Sequence, residues 1–135
     1  MRPLDETEID EFLRRQVVGR IGMHAGGETY VVPIIYAWDG EHIYVQSIEG
    51  RKIAMMRENG TVCFEVDEYE RGNWRSVIVD GEYEELHGAA AAKALALLVA
   101  RFAGSGGRRR PSSGGNKPVA FRIRPTRLSG RTVQR

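Results

Sequence analysis

Apolar residues recur along the chain in two periods, and the switch between them marks its elements. Ile9, Phe12, Leu13 and Gln16 fall at helical spacing after Thr7, which has Asp10 three residues on, so the first element is expected to be a short amphipathic helix capped by Thr7. A strand over Arg20–Ala25 follows, closed by a hairpin turn at Gly26-Gly27. Tyr30–Trp38 (YVVPIIYAW) is apolar at nearly every position, too dense for a sheet with one wet face, so it predicts a strand covered on both sides: by the core on one, and by a partner chain or flat ligand on the other. Pro33 lacks a ladder donor and places that strand at an edge or opening. Asp39-Gly40 predicts a tight turn into a returning strand, Glu41–Ser47, with Ile43 and Val45 on one face.

Gly50–Glu58 reads as one short helix ended by Asn59-Gly60, and Thr61–Asp67 as a strand with Val62, Phe64 and Val66 inward. A polar loop is expected at Glu68–Asn73, then a long strand from Trp74 to Leu86 with a bulge at Gly81. Ala89–Phe102 is strongly helix-forming, with Leu95, Leu98, Val99 and Phe102 as its apolar stripe. Residues 104–117 (GSGGRRRPSSGGNK) carry nothing that can pack and are expected to be a mobile loop. Pro118–Ile123 alternates again and closes the sheet. Many short antiparallel strands with flanking helices predict a mainly β fold, a small closed or split barrel, in one domain spanning 1–135.

Composition narrows the function. The 135 residues are 41% hydrophobic and 28% charged, enough for one core. The longest apolar run, Gly88–Ala100, is interrupted by Lys93 and falls short of the roughly 20 residues a membrane span needs. Met1–Asp10 is acidic where a secretory signal is basic and then apolar. With the single cysteine, Cys63, these features lead us to expect a soluble cytoplasmic protein without disulfides or a structural metal site. The net charge of +2 conceals an asymmetry: residues 1–100 hold ten basic side chains against eighteen acidic ones, whereas residues 101–135 hold ten basic and no acidic ones. An acidic body repels polyphosphates, and no aromatic residues interleave with Arg108-Arg109-Arg110 to stack bases. The arginine-rich end is therefore expected to pair with the acidic body or across a dimer, with no nucleic-acid partner.

Three local combinations carry chemistry. Ser47-Ile48-Glu49-Gly50-Arg51-Lys52 sets a hydroxyl, a glycine and two cations where a strand ends and a helix begins, which suits a phosphate and equally describes a solvated helix start. Asn73-Trp74-Arg75-Ser76 sets an aromatic beside a cation and a hydroxyl, which suits a planar ring and equally a core tryptophan. The backbone of the Tyr30–Trp38 strand can meet the polar edge of a heterocycle, although core packing also explains its composition. Tyr36, His24 and His42 can line an acceptor pocket or serve as ordinary strand residues, and His87 is expected at the surface. Neither nucleotide-phosphate loop, G-x-G-x-x-G or G-x-x-x-x-G-K-[ST], is present.

The succession YVVPIIYAWDGEHIYVQS, EGRK, TVCFEVDE and WRSVIVDGEYEE resembles the flavin-binding split-barrel proteins related to pyridoxamine 5′-phosphate oxidase, in particular the nitroimidazole-resistance-like branch. The likeness runs from about Arg20 to Leu86. It implies a homodimer of six-stranded split barrels with FMN in clefts between the subunits. By position, Arg51 and Lys52 match the phosphate-binding pair, with Ser47 on the strand leading to it. Val32, Pro33 and Ile34 match the strand along which the isoalloxazine lies, and Trp74, Arg75 and Ser76 match a strand opening near the cofactor. The longer carboxy-terminal segment with which the oxidases grip their substrate's phosphate has no recognisable counterpart. The resemblance thus implies a flavin-dependent oxidoreductase passing hydride or electrons to a small acceptor, such as a nitroaromatic, with no side chain required as acid or base. The alternatives are a reductase using deazaflavin F420, and a non-catalytic flavin or haem carrier, for which His24 or His42 would have to be the axial ligand.

Overall fold

A computed structural model describes residues 1–103 and 117–134. The segment expected to be mobile lies outside the described residues except for Lys117, as do Arg108, Arg109 and Arg110. The order of elements is β1 (Arg2–Pro3), α1 (Glu6–Arg15), β2 (Val18–Ala25), β3 (Glu28–Ile35), β4 (Ala37–Trp38), β5 (Ile43–Ile48), α2 (Arg51–Glu58), β6 (Thr61–Glu70), β7 (Asn73–Leu86), α3 (Gly88–Ala103) and β8 (Pro118–Val133). The expected mainly β, antiparallel architecture is observed, with eight strands in place of six. The two additional ones, β1 and β4, are two-residue strands that extend the sheet margins.

All strands belong to one sheet in the order β3-β2-β6-β7-β8-β5-β4, with β1 added on β8. The two ends of that order, β3 and β4, are consecutive in the chain with only Tyr36 between them. The sheet is thus closed into a barrel by a covalent corner, and the expected Tyr30–Trp38 strand is broken at Tyr36. Its ring is fully buried edge-on against Phe64, at 5.0 Å between centroids. The Tyr36 hydroxyl donates to the Leu13 carbonyl at 2.7 Å, and its backbone N–H donates to the Val17 carbonyl at 3.1 Å. Pro33 lies on an edge strand, where its missing donor costs no ladder bond.

Inward residues of six strands fill the barrel, among them Ile21, Phe64, Val66, Val77, Val79, Ile43, Val45, Phe121 and Ile123, and Phe12 and Leu13 of α1 and Ile53 and Met56 of α2 join the same cluster. α3 packs outside, against Tyr44 and Leu86. Its buried positions are Ala94 and Leu98, so of the expected apolar stripe Leu98 is inward as expected, Phe102 is half-buried, and Leu95 and Val99 are corrected to about half exposed. Ala91, Ala94 and Leu97 face Tyr44 and Leu86, which turns Leu95 and Val99 towards the outside.

Other boundaries also differ. α1 is capped by Asp5 and not by Thr7: Glu8 N–H donates to Asp5 Oδ1 and Asp5 N–H donates to Glu8 Oε1, a reciprocal box that starts the helix two residues earlier. The polar loop expected at Glu68–Asn73 is mostly strand, because β6 and β7 pair as far as Glu70 and Asn73 and leave only Arg71-Gly72, both at positive φ, as the turn. The closing strand runs through Val133, pairing first with both β5 and β7 and then with β7 and β1.

The expected bulge is present. Asp80 pairs with Arg127 and Gly81 with Pro125, so Thr126 is the extra residue, its hydroxyl donating to the Asp80 carbonyl at 3.0 Å. A Cβ at Gly81 would stand 2.5 Å from the Arg124 carbonyl oxygen and 2.7 Å from Ile123 Cγ2. Gly81→Ala is therefore expected to destabilise the fold by about 1–3 kcal/mol and to lower the melting temperature by several degrees. An unchanged thermal melt would contradict the close β7–β8 approach.

Candidate functional site

β3 and β5 are not paired with each other, since one ends the sheet order and the other lies next to its opposite end. Between them opens a hollow of about 370 Å³, lined by Val18 of β2, Pro33, Ile34 and Ile35 of β3, Val45 and Gln46 of β5, and Lys52 of α2. Its walls are apolar and one side is open, with Val18 and Ile35 each about half exposed. Lys52 is the cation in this lining. It has no hydrogen-bond or ion-pair partner among the described residues, and burial holds its ammonium below the usual lysine range. A half-buried ammonium without a counter-charge among the described residues, on an apolar wall, can accept an anion.

The start of α2 supports the same reading. Its N-cap is Gly50, no side chain caps it and no acidic residue occupies its first turn. Arg51, the neighbouring cation, is exposed; its guanidinium stacks over the Tyr30 ring at 4.0 Å and reaches Glu28 at 3.4 Å. The far end of α2 is held by Arg57, which donates to both Glu49 oxygens and both Glu85 oxygens at 2.8–2.9 Å. The Tyr83 hydroxyl also donates to Glu85, and together Arg57 and Tyr83 hold the Glu85 carboxyl down at about 2. This network ties α2 to the end of β5 and to β7, and so fixes where Lys52 stands.

Among the residues expected to bind cofactor, Pro33, Ile34 and Lys52 meet at the hollow. Arg51 lies beside it on the same helix turn. Val32 is half-buried with its side chain against the barrel core and does not line the hollow. Ser47 pairs with Val119 near the end of β5, two residues before Glu49. Trp74, Arg75 and Ser76 are not brought to the hollow within one chain: they start β7, beyond β2 and β6 in the sheet order, opposite Tyr69, Glu68 and Asp67. Val18, Ile35, Val45 and Gln46 were missed in the sequence. Val18 and Ile35 form one cross-strand pair, and only the β2–β3 register reveals it.

Among the remaining polar candidates, His24 and Tyr36 have side-chain partners, whereas the buried His42 Nδ1 has none among the described residues. His24 Nδ1 is 2.8 Å from the Thr29 hydroxyl, and the Tyr36 hydroxyl is spent on Leu13, with burial raising its pKa. His42 follows the Asp39 turn, whose carboxylate accepts from the Glu41 and His42 N–H groups, and its ring stands 6.0 Å from Tyr44. His87 is exposed. Asp39, Glu41 and His42 place ligand-type atoms within 4.8 Å of one another, with Glu41 exposed and the other two half-buried. The expected pairing of the arginine-rich end is seen on β8: Arg122 and Arg124 both donate to Glu84, and Arg127 reaches Asp80. Among the described residues no helix is long and apolar enough to cross a membrane.

A barrel closed through a corner and split between β3 and β5, with a cation on the apolar wall of the split, is a split barrel whose opening can take an anion. Residues 5–132 match the pyridoxamine 5′-phosphate oxidase family, and the chain belongs to it. Among solved structures, a FAD-binding protein from Mesorhizobium loti is 35% identical, with a TM-score of 0.82 over 98% of each chain. A structure from Bacteroides thetaiotaomicron, described provisionally as a 5-nitroimidazole antibiotic resistance protein, shares the fold at a TM-score of 0.76 and 18% identity, over 97% of this chain and 87% of that one. An uncharacterized protein of Rhizobium meliloti (strain 1021) is 37% identical over 87 residues, 64% of this chain and 58% of that protein. Membership of the pyridoxamine 5′-phosphate oxidase family agrees with the sequence reading, and the fold is shared with the Bacteroides structure.

Because the Glu85 carboxyl titrates at about 2 in the folded chain, below its free value, its contribution to stability is fully present above the free carboxylate range and is lost as pH falls towards 2. Denaturant melts at pH 5 and pH 3 are expected to show a steeper acid loss in the wild type than in Glu85→Gln. Equal losses would mean that the carboxylate is not held by Arg57.

Proposed function

We propose that this protein binds a flavin phosphate in the split between β3 and β5 and uses it to reduce a small acceptor. The observation that carries this reading is Lys52, a partly buried ammonium without a counter-charge on the wall of an otherwise apolar hollow. In this reading Lys52 and Arg51 hold the phosphate at the uncapped start of α2, with Ser47 nearby. Pro33 and Ile34 bear one edge of the ring, and Val18 and Ile35 cover part of its face. A bound flavin supplies hydride or single-electron transfer, and the chain's residues position it, exclude water and leave one side open to an acceptor.

A second copy of the chain would complete the site. Val31, Val18, Ile35 and Ile78 are exposed along one outer face of the sheet, more apolar surface than a lone barrel should leave in water. In the homodimer that covers this face, Trp74, Arg75 and Ser76 would come to the ring from the second copy. Relatedness to a FAD-binding protein at 35% identity makes FAD as good an occupant as FMN, since both carry the same ring and first phosphate. F420 offers a similar ring and phosphodiester. Haem is less well matched, because the lining of the hollow includes no imidazole or thiolate.

The test is a titration with FMN, FAD and F420, read by thermal shift, in the wild type and in Arg51→Ala with Lys52→Ala. The double variant is expected to keep its circular dichroism and its elution at twice the chain mass, and to lose at least about tenfold in affinity for a flavin phosphate, as loss of a charged anion contact implies. Unchanged affinity would place the anion elsewhere, and stabilisation by F420 alone would reassign the cofactor.

A further inference from the structure

Arg51 is already engaged at both of its recognition surfaces, and this gives two residues outside the expected site a role. Its guanidinium carbon stands 4.0 Å from the centroid of the Tyr30 ring, and its Nη2 stands 3.4 Å from Glu28 Oε1. Stacking uses the face of a guanidinium, whereas anion binding uses the N–H groups along its edge, so the two do not compete. Tyr30 is half-buried and packs against the barrel core, which makes it a fixed platform for an otherwise flexible side chain. The Glu28 contact is different in kind. It takes an edge N–H, it is long, and both side chains are largely in solvent, at 53% and 70% exposure, so it is weak and displaceable.

We infer that Tyr30 positions the Arg51 fork for a phosphate, and that Glu28 is a stand-in carboxylate occupying one of the N–H groups that an incoming phosphate must take. The inference rests on the flavin-phosphate reading and deepens it, because it assigns part of the affinity for the phosphate end of the ligand to the β2–β3 hairpin. Tyr30 strengthens binding by holding the guanidinium plane in place of solvent-exposed rotamers. Glu28 weakens binding twice, by competing for an edge and by adding negative charge beside the anion. The pair sets a threshold: an anion with several oxygens on one centre displaces Glu28, and a neutral ring compound gains nothing from doing so. Both effects act on the phosphate and neither on the ring, which separates them from a general loss of structure.

The experiment compares dissociation constants for FMN and for riboflavin, which has the same ring without phosphate, by flavin fluorescence on the full chain. Glu28→Gln is expected to tighten FMN about threefold and Tyr30→Leu to weaken it about threefold, the scale of exposed ion-pair and cation–π contacts. Tyr30→Phe retains the ring and should bind FMN as the wild type does. Riboflavin affinity should be unchanged throughout, and in an Arg51→Ala background neither Glu28→Gln nor Tyr30→Leu should have any further effect. The inference is overturned if Glu28→Gln leaves FMN affinity unchanged, if Tyr30→Leu weakens riboflavin equally, or if either effect survives without Arg51. Should Arg51→Ala with Lys52→Ala leave the FMN-to-riboflavin ratio unaltered, the phosphate seat itself is wrong and both readings fall. If that double variant behaves as expected and the Glu28 and Tyr30 variants do not, this inference alone falls.

Discussion

The two ends of the sheet are neighbours in the chain, separated by Tyr36, and this covalent corner governs the rest of the structure. A barrel closed by a hydrogen-bonded seam would present a continuous wall. Here β3 arrives at the corner from one end of the sheet order and β4 leaves it from the other, so β3 and β5 face each other without pairing. Tyr36 holds the corner through its ring on Phe64, its hydroxyl on Leu13 and its N–H on Val17. The split is therefore not a packing defect. It follows from the connectivity, and an edge strand bearing Pro33 is compatible with it because no ladder bond is demanded there.

Into that split the chain delivers a helix start with the wrong charge for its own dipole. Cations at a helix amino terminus are mildly unfavourable, a half-buried ammonium more so, and no side chain caps α2. The other end of the same helix is satisfied on all sides by Arg57, Glu49 and Glu85. One helix thus carries a firmly anchored end and an end whose charge is unbalanced, in a body that is otherwise acidic. Local conflict of this kind is characteristic of functional sites, where an interaction missing from the free protein is supplied by the ligand.

The legible parts of the sequence were those with a strict period or an unambiguous breaker. Val62, Phe64 and Val66 alternate and are inward, Gly26, Gly27 and Gly40 turn the chain at positive φ, Gly81 sits at the bulge, and Lys52 lines the hollow. What could not be read depended on neighbours far away in sequence. Glu68–Glu70 are polar on both sides and still form a strand, because their partner strand supplies the ladder. Leu95 and Val99 look like a core stripe until the small face of α3 is seen against Tyr44. Val18 enters the site only through its register with Ile35, and the length of β8 is set by pairing with three strands in succession along it. The motif at Trp74–Ser76 was conspicuous in sequence and lies remote from the hollow within one chain, which shows how composition can mark a surface without locating it.

The central claim is that Lys52 is the counter-charge for a ligand's phosphate. The most direct measurement is the titration of its side chain by NMR on protein labelled at lysine Cε and Nζ, in the free chain and with saturating FMN. The free ammonium should titrate below the ordinary lysine range, because burial without a partner disfavours its charge. Binding of FMN should move that titration upward by supplying the missing anion. A Lys52 titration that is the same in both states would contradict the account.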